Sequence, residues 1–142
     1  SLSPKINIKS LVESNPVYPG DPFRLYLSVE IEEGWHIYSL QPLAGNELLA
    51  TQIILEDNVF DDGVEHWRES PVSLIQDDAQ DRMVKGHSVT AEFHKDFYVP
   101  KNFSSGRYPI SGRLIYRACD NKLCTLPKSS SFASWIDVGV IR

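Results

Sequence analysis

A period of two dominates this sequence. Phe23, Leu25, Leu27, Val29 and Ile31 alternate with Arg24, Tyr26, Ser28 and Glu30. In an extended backbone successive side chains point to opposite faces, so this run forms a strand with one face buried and one wet. Tyr18-Pro19-Gly20-Asp21-Pro22 in front of it reads as a turn. Ile6 and Ile8, with Leu11, alternate in the same way. Further strands are expected at 35–39, 51–55, 88–99, 108–116 and 132–141. In the 88–99 run, Val89, Ala91, Phe93 and Phe97 share one side. Ile110 and Leu114 read as out of simple phase, which predicts a bulge near Gly112. Only 43–49 offers a turn of helix, and Gly45 interrupts it. Seven or eight short strands between Pro- and Gly-containing turns predict an all-β chain, an antiparallel β-sandwich.

With 142 residues the chain is expected to form a single domain, 1–142. At that size one core hides roughly two-thirds of the unfolded surface, so folding needs no staple. Hydrophobic residues at 42% and charged residues at 23% speak against disorder. Lys plus Arg is 14 against 19 Asp plus Glu, a formal charge of -5, which argues against a nucleic-acid partner. No run of 18 apolar residues supplies a membrane span. The first residues carry no apolar signal region, so any leader is expected either to have been removed or to lie ahead of the given sequence. The apolar ending at 138–142 suits a domain cut from a longer protein. The acidic stretches 56–62 and 77–81 read as solvated loops without calcium-loop spacing. No nucleophile-elbow motif points to a hydrolase. Asn102-Phe103-Ser104 reads as an ordinary loop rather than a glycosylation acceptor.

Cys119 and Cys124 are the only cysteines. A bond between them closes a loop of about six residues and contributes roughly 2 kcal/mol, against almost 5 for a loop of about 100 residues. A bridge that served stability would join distant strands. A local bridge therefore reads either as a loop staple in an extracellular binding module or as a redox pair. The spacing is not C-x-x-C, and no βαβ pattern surrounds it. Zinc is not expected, because no second ligand pair stands at finger-like spacing and His36, His66, His87 and His94 are scattered.

The stretch from Gly106 to Cys119, with its Tyr116-Arg117-Ala118-Cys119 ending, then Cys124 and Pro127, resembles the N-terminal periplasmic domain of DsbD-type thiol:disulfide interchange proteins. Gly34-Trp35-His36-Ile37-Tyr38 resembles a second motif of that family, in the same order along the chain. The resemblance implies an immunoglobulin-like sandwich with a redox-active cysteine loop and no cofactor or metal. It implies a periplasmic disulfide reductase domain, fed by a membrane-embedded part of its parent protein, which also carries a C-terminal thioredoxin-like part. The implied recipients are periplasmic thioredoxin-fold proteins, namely disulfide isomerases and a cytochrome c maturation thioredoxin. Cys124 is the implied site of the interprotein bond. The family shields its cysteines with a cap loop bearing an aromatic pair before a glycine. Here Arg82-Met83-Val84-Lys85 precedes Gly86, so Met83 or Val84 is expected to cover the sulfurs from a loop.

His36 and Tyr38 share one face of a strand; they match family positions near the cysteines, so the resemblance implies that they guard or hydrogen-bond the sulfurs. Trp35 and Ile37 point the other way, with Trp35 in the core. Arg117 and Lys122 would favour a thiolate and Asp120 would oppose it.

Overall fold

The computed structural model describes residues 3–60 and 66–140. The expected features at 61–62 and at Ile141 lie outside that range. The chain order is β1 (Ile6–Glu13), β2 (Pro22–Ile31), β3 (His36–Tyr38), a 3-10 turn (Glu47–Leu49), β4 (Gln52–Leu55), β5 (Arg68–Glu69), β6 (Ser73–Asp77), β7 (Arg82–Ser88), β8 (Thr90–Tyr98), β9 (Gly106–Tyr116), β10 (Ala118–Cys119) and β11 (Lys128–Val138). Among the described residues no helix is long and apolar enough to cross a membrane.

Three antiparallel sheets result, ordered β1-β2-β8-β5, β11-β9-β4 and β10-β3-β7-β6. The first two face each other across the main core. Leu25, Leu27 and Val29 of β2 and Phe93 and Phe97 of β8 meet Ile110 and Leu114 of β9 and Ile136 of β11 there. This is the alternation of β2 expressed as burial: every second residue from Phe23 to Ile31 is buried. The result is an immunoglobulin-like sandwich. Side-chain bonds tie β1 to β11, with Ser10 Oγ donating to the Ala133 carbonyl at 2.9 Å and Ser134 Oγ donating to Ser10 Oγ at 2.7 Å.

Three local expectations need correction. In β1 it is Val12 that turns inward, while Leu11 is exposed. In β9 the ladder to β11 keeps one register from Gly106 to Tyr116, so there is no bulge. Ile110 and Leu114 are four residues apart and therefore in phase, with Gly112 between them. A Cβ on Gly112 would stand 2.3 Å from the Ile54 carbonyl oxygen, so the glycine serves close strand approach. Finally, the strand expected at 88–99 is β8, Thr90–Tyr98, but it starts later than expected: Ser88 ends β7 in another sheet, and Val89, expected beside Ala91 and Phe93, turns the corner with φ 70° and a side chain 70% exposed.

The third sheet is small and serves the site. Its strands leave the main sandwich abruptly: β7 is separated from β8 by Val89, and β10 from β9 by Arg117. A Cβ on Gly86 of β7 would lie 2.2 Å from the Ile37 carbonyl oxygen, so only glycine lets β7 lie this close to β3.

Candidate functional site: a half-buried disulfide on the third sheet

The cysteine loop is a short hairpin. Ala118 N–H donates to Thr125 Oγ1 at 3.1 Å, and Thr125 N–H donates to the Ala118 carbonyl at 2.8 Å. Arg117 Nε reaches the Thr125 carbonyl at 3.1 Å. At the tip Asp120 Oδ1 accepts from the amides of Lys122 and Leu123 at 2.8 and 2.9 Å. Those backbone bonds, from Leu123 first, hold the Asp120 carboxyl below the usual range. Asp120 and Arg117 therefore shape the loop. Cys119 and Cys124 face each other across it with Cα atoms 4.0 Å apart and form a disulfide.

The two sulfurs differ in environment. Cys119 is fully buried and packs with Tyr38, Leu49 and Val84. Cys124 is only half-buried. In the β10–β3 ladder Cys119 stands directly opposite His36. Trp35 and Ile37 point into the main core, as the alternation predicts. Tyr38 OH lies 2.7 Å from Cys119 Sγ and 3.6 Å from Cys124 Sγ. The same hydroxyl donates a short bond to Asp77 Oδ2. The His36 ring meets the Tyr38 ring edge-on at 5.6 Å, and its Nε2 is 3.3 Å from Asp77 Oδ2.

Asp77 has no side-chain exposure at all. It ends β6 in phase with Ile75, which packs against the sulfur cluster. Burial first, and the bond to Asp77 second, push the Tyr38 hydroxyl well above the ordinary tyrosine range. The phenol thus stays protonated and donates to Asp77. Its oxygen lone pairs remain free to accept a proton from a thiol at Cys119.

The expected cap region takes a different form. Residues 82–85 belong to strand β7, with Met83 opposite Gln76 and Val84 opposite Ile75. Alternation splits the pair: Val84 is fully buried in the Cys119 cluster, whereas Met83 is 45% exposed. The turn at 78–81 comes closer to the other sulfur, since Gln80 Nε2 donates to Cys124 Sγ at 3.3 Å. Gln80 N–H in turn donates to Asp77 Oδ1 at 3.2 Å. Asp77 and Gln80 escaped the sequence reading because 77–81 looks like a solvated acidic loop. The available signal was the two-residue phase from Ile75 to Asp77. Beside Gln80 lies a hollow of about 180 Å³ lined by Leu48, Leu49, Arg82 and Arg117.

The sequence matches a family model, that of the N-terminal region of thiol:disulfide interchange protein DsbD, over residues 9–134. It matches no curated protein sequence. Among solved structures the fold is similar to the N-terminal periplasmic domain of ScsB from Proteus mirabilis, with a TM-score of 0.62 and 16% identity. That match covers 93% of this chain but 46% of the other, so the chain spans less than half the length of its structural relative. At this identity the likeness concerns the fold.

Proposed function

The chain belongs to the family of DsbD N-terminal domains, a thiol:disulfide interchange family, and from that premise we propose that it is a periplasmic exchange domain. In this reading it takes electrons from a membrane-embedded reductase and passes them through Cys119 and Cys124 to thioredoxin-fold proteins. The observation that carries the reading is the asymmetry of the disulfide. One sulfur is half-exposed, and the other is buried against a hydroxyl that is bonded to a carboxylate.

In the reduced domain Cys124, as a thiolate, attacks the partner's disulfide. A Cys124–partner bond forms and one partner thiolate leaves. Cys119 then loses its proton toward Tyr38 and Asp77 and attacks Cys124 Sγ. The Cys119–Cys124 bond forms, and the second partner thiolate leaves. Two electrons have passed to the partner. The short loop favours the second step through proximity. Reduction by an upstream dithiol runs the same steps in reverse.

Tyr38 and Asp77 are assigned to proton transfer at Cys119, and His36 to holding Asp77. Val84 backs Cys119, and Gln80 screens Cys124. Exposed Leu48 and Leu126, with Met83, offer apolar contact to a docking partner. Disulfide isomerases and a cytochrome c maturation thioredoxin are the recipients of this chemistry in our reading.

The test is exchange itself. The reduced domain is mixed with an oxidised periplasmic thioredoxin-fold protein, and thiols on both are trapped by alkylation and weighed. Oxidation of Cys119 and Cys124 with matching reduction of the partner is expected. A native disulfide that resists dithiols, and a dithiol that reduces no such partner, would leave only a structural staple.

A further inference from the structure

Three metal-ligating atoms converge in the interior. His36 Nδ1 or Nε2, an Asp77 carboxylate oxygen and Cys119 Sγ lie within 4.8 Å of one another, and all three residues are buried. We propose that reduction of the Cys119–Cys124 bond turns this cluster into a binding site for one zinc ion, with Cys124 as fourth ligand. The proposal rests on the exchange reading in one respect: the bond must be reducible.

The donor set fits the ion. Two thiolates, an imidazole and a carboxylate favour zinc over calcium or magnesium, which prefer oxygen. Tetrahedral zinc has Zn–S near 2.3 Å and Zn–N or Zn–O near 2.0–2.2 Å, which sets its ligand atoms roughly 3.5 Å apart. The present 4.8 Å spread closes with side-chain shifts of about 1 Å on this basis. Cys124 is in reach because its Cα is 4.0 Å from that of Cys119.

The backbone holds the ligands in place. His36 and Cys119 are directly paired residues of β3 and β10, and Asp77 ends β6 in the same sheet. Rigid strands position ligands better than loops do. Asp77 is oriented from outside the ligand set by Tyr38 OH and by Gln80 N–H, the supporting bonds that metal carboxylates commonly have. When zinc binds, Tyr38 OH gives up Cys119 and keeps Asp77.

An upstream dithiol gives two electrons and two protons to the disulfide and becomes a disulfide itself. Zinc then displaces both thiol protons into solvent and forms two Zn–S bonds, with no further electron transfer. Bound sulfurs cannot attack a partner, so zinc and exchange compete for the same two atoms.

The test uses cobalt as a spectroscopic stand-in. The domain is reduced with a phosphine, freed of it under argon, and its thiols counted. Cobalt(II) is added, then zinc. Two thiols are expected, with one cobalt bound per chain, a thiolate-to-cobalt band in the near ultraviolet, strong tetrahedral bands in the visible, and bleaching by zinc. The oxidised domain and the Cys119→Ala, Cys124→Ala double variant should show none of these. His36→Gln and Asp77→Asn should each weaken binding at least about tenfold. Circular dichroism confirms the fold of each, and either folded variant suffices. Two free thiols with no cobalt band would overturn the zinc site and leave the exchange reading standing. Equal affinity in the folded variants would also overturn it, since a bare dithiol would then be the chelator. Failure to free two thiols in the folded domain would overturn both.

Discussion

In the proposed exchange, Tyr38 connects the sulfur that loses a proton with the side chain of Asp77. Its hydroxyl touches Cys119 and donates to buried Asp77. Tyr38→Phe keeps the ring and removes the connection. Oxidation of the reduced domain by a thioredoxin-fold disulfide should slow by roughly 100-fold, the lower range for general acid–base assistance. Rapid-mixing kinetics measures this, and an unchanged rate would remove Tyr38 from the chemistry. The same variant leaves Asp77 short of a donor and should cost about 1–3 kcal/mol of stability. At this scale the two cysteines, His36 and Tyr38 were legible, because motif and strand phase mark them. Asp77 and Gln80 were not. An aspartate in a run of acidic residues looks solvated until its strand is seen to bury it.

Val89 shows what a strand pattern conceals. A β-branched residue at φ 70° is strained, and this one lets the chain pass from β7 in the small sheet to β8 in the main sandwich. The apolar phase of Ala91, Phe93 and Phe97 extends backward to Val89 without a break in the sequence, so the corner is invisible there. Its exposed side chain has little packing to lose. Val89→Gly should therefore raise stability by about 1 kcal/mol, read as an increase in the thermal midpoint. A lower midpoint would show that the strain is not real or that the side chain matters. The long strand β2 was legible because its alternation runs unbroken from Phe23 to Ile31 beside a turn, whereas β9 was located by its apolar residues and its phase was misread. The short strands β5 and β6 were not legible, since two residues carry no period and the five of β6 offer only the single step from Ile75 to Asp77.

On the scale of the whole molecule, the Glu69 carboxylate ties the site sheet to the sandwich. Glu69 of β5 receives His87 Nε2 of β7 at 2.7 Å, Ser39 Oγ at 2.7 Å and the Leu40 amide at 3.3 Å. Burial alone would raise its pKa, but the bonds from His87, Ser39 and Leu40 outweigh it and hold the carboxyl below its ordinary value of 4.5. A depressed folded pKa gives stability that is present above the unfolded value and lost as pH falls through the folded one. Denaturant midpoints should therefore drop as the medium is acidified below about pH 4.5, and Glu69→Gln should flatten that drop. Parallel slopes in the two proteins would exclude Glu69 as its source. The cysteine loop adds little to this frame. Removing both sulfurs should cost about 2 kcal/mol or less and leave a folded β-domain by circular dichroism, whereas unfolding at room temperature would favour a staple. The sandwich was legible as a class, but its division into three sheets arises from long-range pairings that no local pattern encodes. In the proposed exchange Cys124 is the sulfur that partners meet and Cys119 the one that resolves. Each cysteine is replaced singly by alanine, and each variant is incubated with an oxidised periplasmic thioredoxin-fold protein and resolved on a non-reducing gel. Cys119→Ala is expected to accumulate a mixed disulfide through Cys124, and Cys124→Ala is expected to form none. Adduct from Cys124→Ala alone, or from neither variant while a control pair reacts, would contradict the account.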